Sequence, residues 1–289
     1  MDLAALKAFV EVADRRSFSD AADVLYLTQP AVSKRVAQLE QELGARLFDR
    51  VGRRVSTTAA GAALLPRARR LLNDAGDLRN YLHDLSGQVR GRLLMGTSHH
   101  IGLHRLPVPL KHYTRDFPEV QLDIRFMDSE AACRAVETGE LELAIVTLPP
   151  AESQRLELQP LWDDRLVFVV SRDHPLAAPG RAGLSDLAGY PAVLPGPTTY
   201  TRAILEAELL AQGVVLDVAM ATNYLETLRM LVATGLGWSL LPATLLNDEL
   251  KVVQIAGVAL SRRLGAVTRK GRDVSNAARE MIIACTGKA

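Results

Sequence analysis

Gln29, Ser33, Lys34 and Arg35 lie close together in the chain and are side chains able to read or grip a nucleic-acid duplex. A glutamine amide bonds an adenine edge bidentately, and a serine hydroxyl serves a base or a phosphate. Lysine and arginine supply charge against phosphate. Ala31 is small enough to let a backbone approach or to touch a thymine methyl, and Thr28 and Pro30 flank the opening of the same segment. Further on, Arg50, Arg53 and Arg54 surround Gly52. An arginine at a hairpin tip can enter a narrow minor groove, where the potential is most negative.

A second set of polar residues recurs after apolar runs: Thr97-Ser98-His99-His100, Asp128-Ser129, Thr147, Thr198-Thr199 and Thr222-Asn223. A hydroxyl beside the free N–H groups of a helix start favours a small anion. Each Ser or Thr alone is equally an ordinary helix cap. Their recurrence at successive strand ends points to one cleft lined by Thr97, Ser98, His99, His100, Ser129, Thr147, Thr198, Thr199 and Asn223. His100 and His104 stand four apart, a spacing that can hold a metal on one helix face. No Cys, Asp or Glu lies nearby in the chain to complete the set, so the sequence gives no metal site and no cofactor. The histidines read instead as a polar, partly cationic lip for an anion, or as surface and capping residues. No GxSxG, GxxxxGK[ST] or HExxH motif is present, nor a GxGxxG after a strand. Ser98-His99 has no third catalytic partner in sequence, so an enzyme is not expected.

Positioning these residues requires particular elements. Leu3, Leu6, Phe9, Val10 and Ala13 give an amphipathic helix over 2–14. A short helix follows, with Ser19 as the expected cap, and then a break at 26–28. The next helix opens at Gln29-Pro30, where proline's missing N–H costs nothing. Short helix, tight turn and a second helix with a polar leading edge make a helix-turn-helix. Residues 44–58 read as a hairpin wing with its tip at Gly52-Arg53. From Thr58 an apolar 3–4 spacing runs for about 28 residues, interrupted by Pro66; such a length suggests pairing with a second copy. Gly87 and Gly91 read as a hinge. Beyond them strand and helix patterns alternate, with a helix over 101–116, a parallel sheet, a second lobe starting near Trp162 and a return to the first lobe near 267.

The chain has 289 residues, 48% hydrophobic and 23% charged, which bounds it to an ordered protein of about two domains. Net charge is only +1, but its distribution is uneven: −2 over 1–27, +3 over 28–58, +3 over 59–92 and −3 over 93–289. Positive charge in the first third fits a module that meets phosphate. Two cysteines exclude a disulfide framework, and the absence of a long apolar run or a signal-like start gives the expectation of a cytoplasmic protein with no membrane partner.

The run Phe18-Ser19-x-Ala21-Ala22-x-x-Leu25-x-Leu27-Thr28-Gln29-Pro30-Ala31-Val32-Ser33, followed by Leu39-Glu40-x-x-Leu43-Gly44-x-x-Leu47-Phe48-x-Arg50 and Thr57-Thr58-Ala59-Ala60-Gly61, resembles the winged helix-turn-helix of LysR-type transcriptional regulators. Lys34 departs from the arginine or glutamine more usual there. The resemblance implies an α/β protein with three parts. A winged helix-turn-helix spans 1–58 and a linker helix 59–90. A two-lobed effector domain of periplasmic-binding-protein type spans 91–289, with lobe 1 at 91–161 plus 267–289 and lobe 2 at 162–266. It further implies double-stranded promoter DNA as partner, read by Thr28, Gln29, Pro30, Ala31, Ser33, Lys34, Arg35, Arg50, Arg53 and Arg54. It implies a homodimer through the linker helix, assembling into a tetramer, and a small-molecule effector in the cleft. A sulfur oxyanion and a small carboxylate both fit that cleft. A transporter's solute-binding protein would have no use for residues 1–58.

Overall fold

The structure is a computed structural model that describes residues 2–51, 54–84, 87–178 and 180–287. It divides into two compact units, the first ending at residue 86 but also taking in residues 138–140, the second comprising the rest from residue 87.

The first unit starts with α1 (Leu3–Arg15), capped by the Asp2 carboxylate, which accepts from the Ala4 N–H. α2 (Phe18–Leu25) is capped by Ser17, not by Ser19. The reason is Phe18: it must lie inside the helix for its ring to reach Phe48, centroid to centroid 5.6 Å. α2 stops at Tyr26, which takes a left-handed conformation (φ 54°) rarely adopted by a bulky residue. α3 (Gln29–Leu43) then begins with Thr28 as cap and Pro30 in its first turn, and stops at Gly44 in left-handed geometry.

β1 (Phe48–Val51) and β2 (Arg54–Thr57) form the antiparallel wing, with Phe48 opposite Thr57. Its base is pinned by Glu40, whose carboxylate accepts from the N–H groups of Leu47 (2.7 Å) and Phe48 (3.3 Å). α4 (Ala59–Asp84) follows, with Pro66 in its interior. Thr58 ties its start to the wing by accepting from Gly61 N and donating to the Arg46 carbonyl. Leu6, Phe9, Val12, Val32, Val36, Leu39, Leu47 and Ala68 make one core from α1, α3, α4 and the wing base.

The second unit runs β3 (Gly91–Thr97), α5 (His99–His104), α6 (Pro107–Asp116), β4 (Val120–Phe126), α7 (Ser129–Thr138), β5 (Leu143–Thr147), β6 (Leu156–Ser171), β7 (Arg181–Ala182), α8 (Leu184–Ala188), β8 (Ala192–Leu194), α9 (Tyr200–Ala211), β9 (Val218–Ala221), α10 (Leu225–Ala233), β10 (Ser239–Pro242), β11 (Leu250–Ile255), β12 (Leu260–Arg269) and α11 (Asn276–Cys285). The main sheet has the order β4-β3-β5-β12-β6-β11-β7, with β10 also on β6; β8 and β9 pair apart.

Two expectations are corrected. The helix placed over 101–116 is two helices, because Pro107 lacks the N–H that would continue α5 and instead sits in the first turn of α6. The sheet is mixed: β3, β4 and β5 are parallel, but β12 runs antiparallel to β5 and β6. The positions near 162 and 267, where the chain was expected to pass between lobes, lie within strands. β6 and β12 run through both positions as paired strands, from Leu260 opposite Leu166 to Arg269 opposite Leu156. Helix α11 returns to the first lobe as expected, burying Ala278, Met281 and Cys285 against Leu93, Ile145 and Tyr113.

Gly61 is where α4 crosses the wing base: a Cβ there would lie 2.2 Å from the Leu47 carbonyl oxygen, a backbone atom that cannot turn away. Gly61→Ala is expected to destabilise the N-terminal unit by roughly 1–3 kcal/mol, as forced overpacking does. The check is thermal unfolding of the full chain; an unchanged first transition contradicts the packing described.

Candidate functional site

In the first unit the leading edge of α3 is the relevant surface. Gln29, Pro30 and Lys34 are exposed, and Ala31 and Arg35 are half-exposed. Thr28 is exposed but committed, since its hydroxyl accepts from Ala31 N. The Ser33 hydroxyl is shielded from solvent and has no hydrogen-bond partner. Tyr26, in the turn just before α3, is 95% exposed, and sequence reading passed over it. Its signal was an aromatic at a helix–helix turn, where nothing internal requires one. Arg50 and Arg54 lie on the wing strands, while Arg53 falls outside the described residues.

In the second unit a recess of about 510 Å³, part of it open to solvent, lies where β3, β5 and β8 end. Ser98, His99, His100, Ser129, Thr147, Thr199 and Asn223 line it, as the strand-end pattern predicts. Two expected residues do not. Thr97 is fully buried behind the wall, and its hydroxyl donates to the Ile145 carbonyl at 2.8 Å, tying β3 to β5. Thr198 is next to the cap residue but is not part of the lining.

Asp128, from the Asp128-Ser129 strand end, also lines the recess; the residues missed are Glu130, Pro195, Thr201, Leu225 and above all Arg262. Arg262 lies on β12 directly opposite Asp164 on β6, and its Nε donates to Asp164 Oδ2 at 2.8 Å. Its Nη1 donates to Thr201 Oγ1 at 2.8 Å, and its Nη2 is buried with no partner. Burial pulls the guanidinium pKa down, and the Asp164 charge opposes this. The available signal was period-2 alternation: Arg262 shares an inward face with Leu264.

Polar groups around the recess differ in how free they are. Thr199 is used up as the cap of α9, accepting from Arg202 N and donating to Gly196 O. Ser129 accepts from Thr147 N. Ser98 precedes α5 without making a side-chain capping bond. Glu130 accepts from Tyr200 N at 2.5 Å, and Asn223 donates to Asp128 at 2.7 Å.

The cationic character is not supplied by His100. That ring is buried, and its pKa is lowered to about 4 by burial first and by the Arg262 charge second, with Asp164 opposing. The cation at the recess is Arg262.

These two sites stand on a fold that defines a DNA-binding, ligand-sensing regulator. Residues 3–62 match the family described as bacterial regulatory helix-turn-helix protein, lysR family, and residues 86–289 match the LysR substrate binding domain. The chain belongs to the LysR-type transcriptional regulators. A regulator from the ibpB-leuC intergenic region of Azotobacter vinelandii is 63% identical over 107 residues, 37% of this chain and 74% of that protein. Escherichia coli YeiE is 30% identical over 285 residues, covering 97% of this chain and 95% of its own length. The structure of full-length OxyR from Pseudomonas aeruginosa, at 24% identity, superposes over 99% of this chain and 98% of that one with a TM-score of 0.71. Among the described residues no helix is long and apolar enough to cross a membrane.

The His100 shift has a measurable consequence. Its folded pKa of about 4 lies below the ordinary 6.5, so between those values the unfolded chain holds more protons. The stability that the neutral buried ring permits is therefore complete above pH 6.5 and is lost as pH falls towards 4, by about 3 kcal/mol in all. Denaturant unfolding at pH 7 and pH 4.5 should show a shallower pH dependence for His100→Gln than for the parent. Equal slopes would mean that His100 is not the group being titrated.

Proposed function

We propose that this chain binds promoter DNA as a twofold dimer through the leading edge of α3 and the wing. Its output is set by a small ligand in the recess of the second unit. The observation that carries the ligand reading is Arg262, which lines the recess and whose Nη2 is buried without a partner. Such a group is expensive to leave unanswered, and an anionic oxygen answers it. Ser98, which also lines the recess and has no capping bond, is the second donor for that ligand.

The rim adds a second condition. Asp128 and Glu130 line the recess as acceptors, so the ligand that fits best pairs one anionic head with hydrogen-bond donors elsewhere. A small hydroxy- or amino-carboxylate satisfies both; a bare sulfur oxyanion brings no further donor to carboxylates that, among the described residues, otherwise bond only to Tyr200 N and Asn223. Thiol chemistry is not the signal, because burial pushes Cys133 up to about 11 and Cys285 up to about 12, which keeps both as inert thiols.

Dimerisation through α4 is supported by Leu71 and Leu78, which stand exposed seven residues apart, the repeat of a paired helix. The twofold operator then mirrors the protein's symmetry. Tyr26 and Lys34 contact phosphates beside the bases that Gln29 reads.

Two measurements test this. In footprinting on the chain's own upstream DNA, Gln29→Ala should lose roughly 1–3 kcal/mol of discrimination at one base pair of each half-site. A footprint identical to the parent's removes Gln29 from the interface. In a thermal-shift screen of small hydroxy- and amino-carboxylates, a true effector raises the melting temperature in proportion to its affinity. Ser98→Ala should weaken that effector by about tenfold or more while the ligand-free protein binds DNA as before, since a hydrogen bond to a charged group contributes about 1.5–3 kcal/mol. Equal shifts in parent and variant would place the ligand elsewhere.

A further inference from the structure

Helix α5 carries His100 and His104 one turn apart, and the fold brings Glu226 of α10, 122 residues beyond His104, against them. One ring nitrogen from each histidine and a Glu226 carboxylate oxygen all lie within 4.8 Å of one another. His104 Nε2 is 3.3 Å from Glu226 Oε1, and His100 Nδ1 is 4.0 Å from the same oxygen. A tetrahedral ion with bonds of about 2.0–2.1 Å sets its ligands roughly 3.4 Å apart. The His104–Glu226 edge already has that length, the His100–Glu226 edge is 4.0 Å and the third is at most 4.8 Å, so closing the triangle needs shifts of up to about 1.4 Å, within side-chain freedom.

An independent feature points to the same place. His100 is 4% exposed, yet neither ring nitrogen has a hydrogen-bond partner. Buried imidazoles ordinarily satisfy at least one. With Nδ1 directed at the Glu226 oxygen, Nε2 faces the fully buried Asp164 carboxylate at 4.0 Å. An imidazole that binds an ion through one nitrogen and faces a carboxylate with the other is the common outer arrangement of metal-bound histidines. Asp164 is held in place from behind by Arg262 and Arg105.

We infer that His100, His104 and Glu226 form a binding site for one divalent transition-metal ion at the edge of the ligand recess. The two-imidazole, one-carboxylate donor set selects zinc, cobalt, nickel or copper over calcium and magnesium, which take oxygen ligands. His104 and Glu226 are each about one-third exposed, which gives the ion a path in and leaves a coordination position open to water or to a donor atom of a bound ligand. An ion there joins α5 of the first lobe to α10 of the second. Sequence reading set a metal aside because no carboxylate lies near His100 in the chain; the third ligand is supplied by tertiary structure.

The test uses the full-length, tag-free protein after chelator treatment, with Co²⁺ alone and no DNA or organic ligand present. The expected result is uptake of one Co²⁺ per chain with the ligand-field bands of a nitrogen–oxygen site, a higher melting temperature, and displacement by Zn²⁺. Glu226→Gln and His104→Gln, both at half-exposed positions, should fold normally. Each should weaken Co²⁺ by at least about tenfold, since even an outer partner of a metal ligand changes affinity by that much. Absence of stoichiometric uptake by the folded parent, or uptake unchanged in both variants, overturns the site. The small-ligand reading is scored separately, because its screen runs equally well with chelator present.

Discussion

Asp164 and Arg262 face each other across β6 and β12, the two long strands that carry the chain between the lobes. Both side chains are almost wholly buried. A carboxylate or a guanidinium taken out of water alone loses several kcal/mol, and only close pairing with further hydrogen bonds offsets that. Here the offset comes from Arg262 Nε on Asp164, from Nη1 on Thr201 and from Arg105 on the second carboxylate oxygen. Because both partners hang from one β-ladder, strand register fixes their geometry. The remaining donor, Nη2, therefore points in a direction set before any ligand arrives. Such preorganisation is what lets a single charged group select a ligand without first losing side-chain entropy.

The same pair determines the character of the histidine beside it. Arg262 disfavours a second positive charge at His100, and burial disfavours it further, so the ring stays neutral. A neutral imidazole with two unanswered nitrogens differs from the cationic lip that composition suggests. The electrostatics of the recess thus follow from one inward arginine on β12 rather than from the His99-His100 run that draws the eye in sequence.

How far these features could be read in advance follows from how local their causes are. The helix-turn-helix was legible because caps, Pro30, Gly44 and the apolar stripe act within a few residues of where they stand. The Ser17 cap was misplaced by two positions because the deciding contact, Phe18 on Phe48, spans thirty residues. Seven of the strand-end residues line one recess, since an open α/β sheet places its strand ends together whatever the details. Thr97 belongs to the same run as Ser98 but points to the other side of its strand, so its hydroxyl bonds within the sheet. Arg262, Thr201 and Glu226 come from the far half of the chain, and their placement depends on the antiparallel crossing of β6 and β12, which short-range patterning does not encode.

That crossing also governs how a ligand can act. Across the recess the lobes are already linked by the protein's own groups: Glu130 on the Tyr200 N–H, Asp128 on Asn223 and Glu226 near His104. Those bonds exist before a ligand enters, so their energy is part of the unliganded state. A ligand shifts the lobes only by the difference between the bonds it makes and the ones it breaks, in one arrangement relative to another. Filling Arg262 Nη2 breaks nothing, because that donor has no partner to lose. Displacing Glu130 from Tyr200 leaves a carboxylate unanswered unless the ligand returns a donor to it. Binding at Arg262 alone therefore adds affinity with little change of shape, whereas engaging Arg262 and Glu130 together exchanges one interlobe bond for another and changes the balance between lobe arrangements. For the ligand class proposed above, the donor end is then the part that confers response and the anionic head the part that confers affinity.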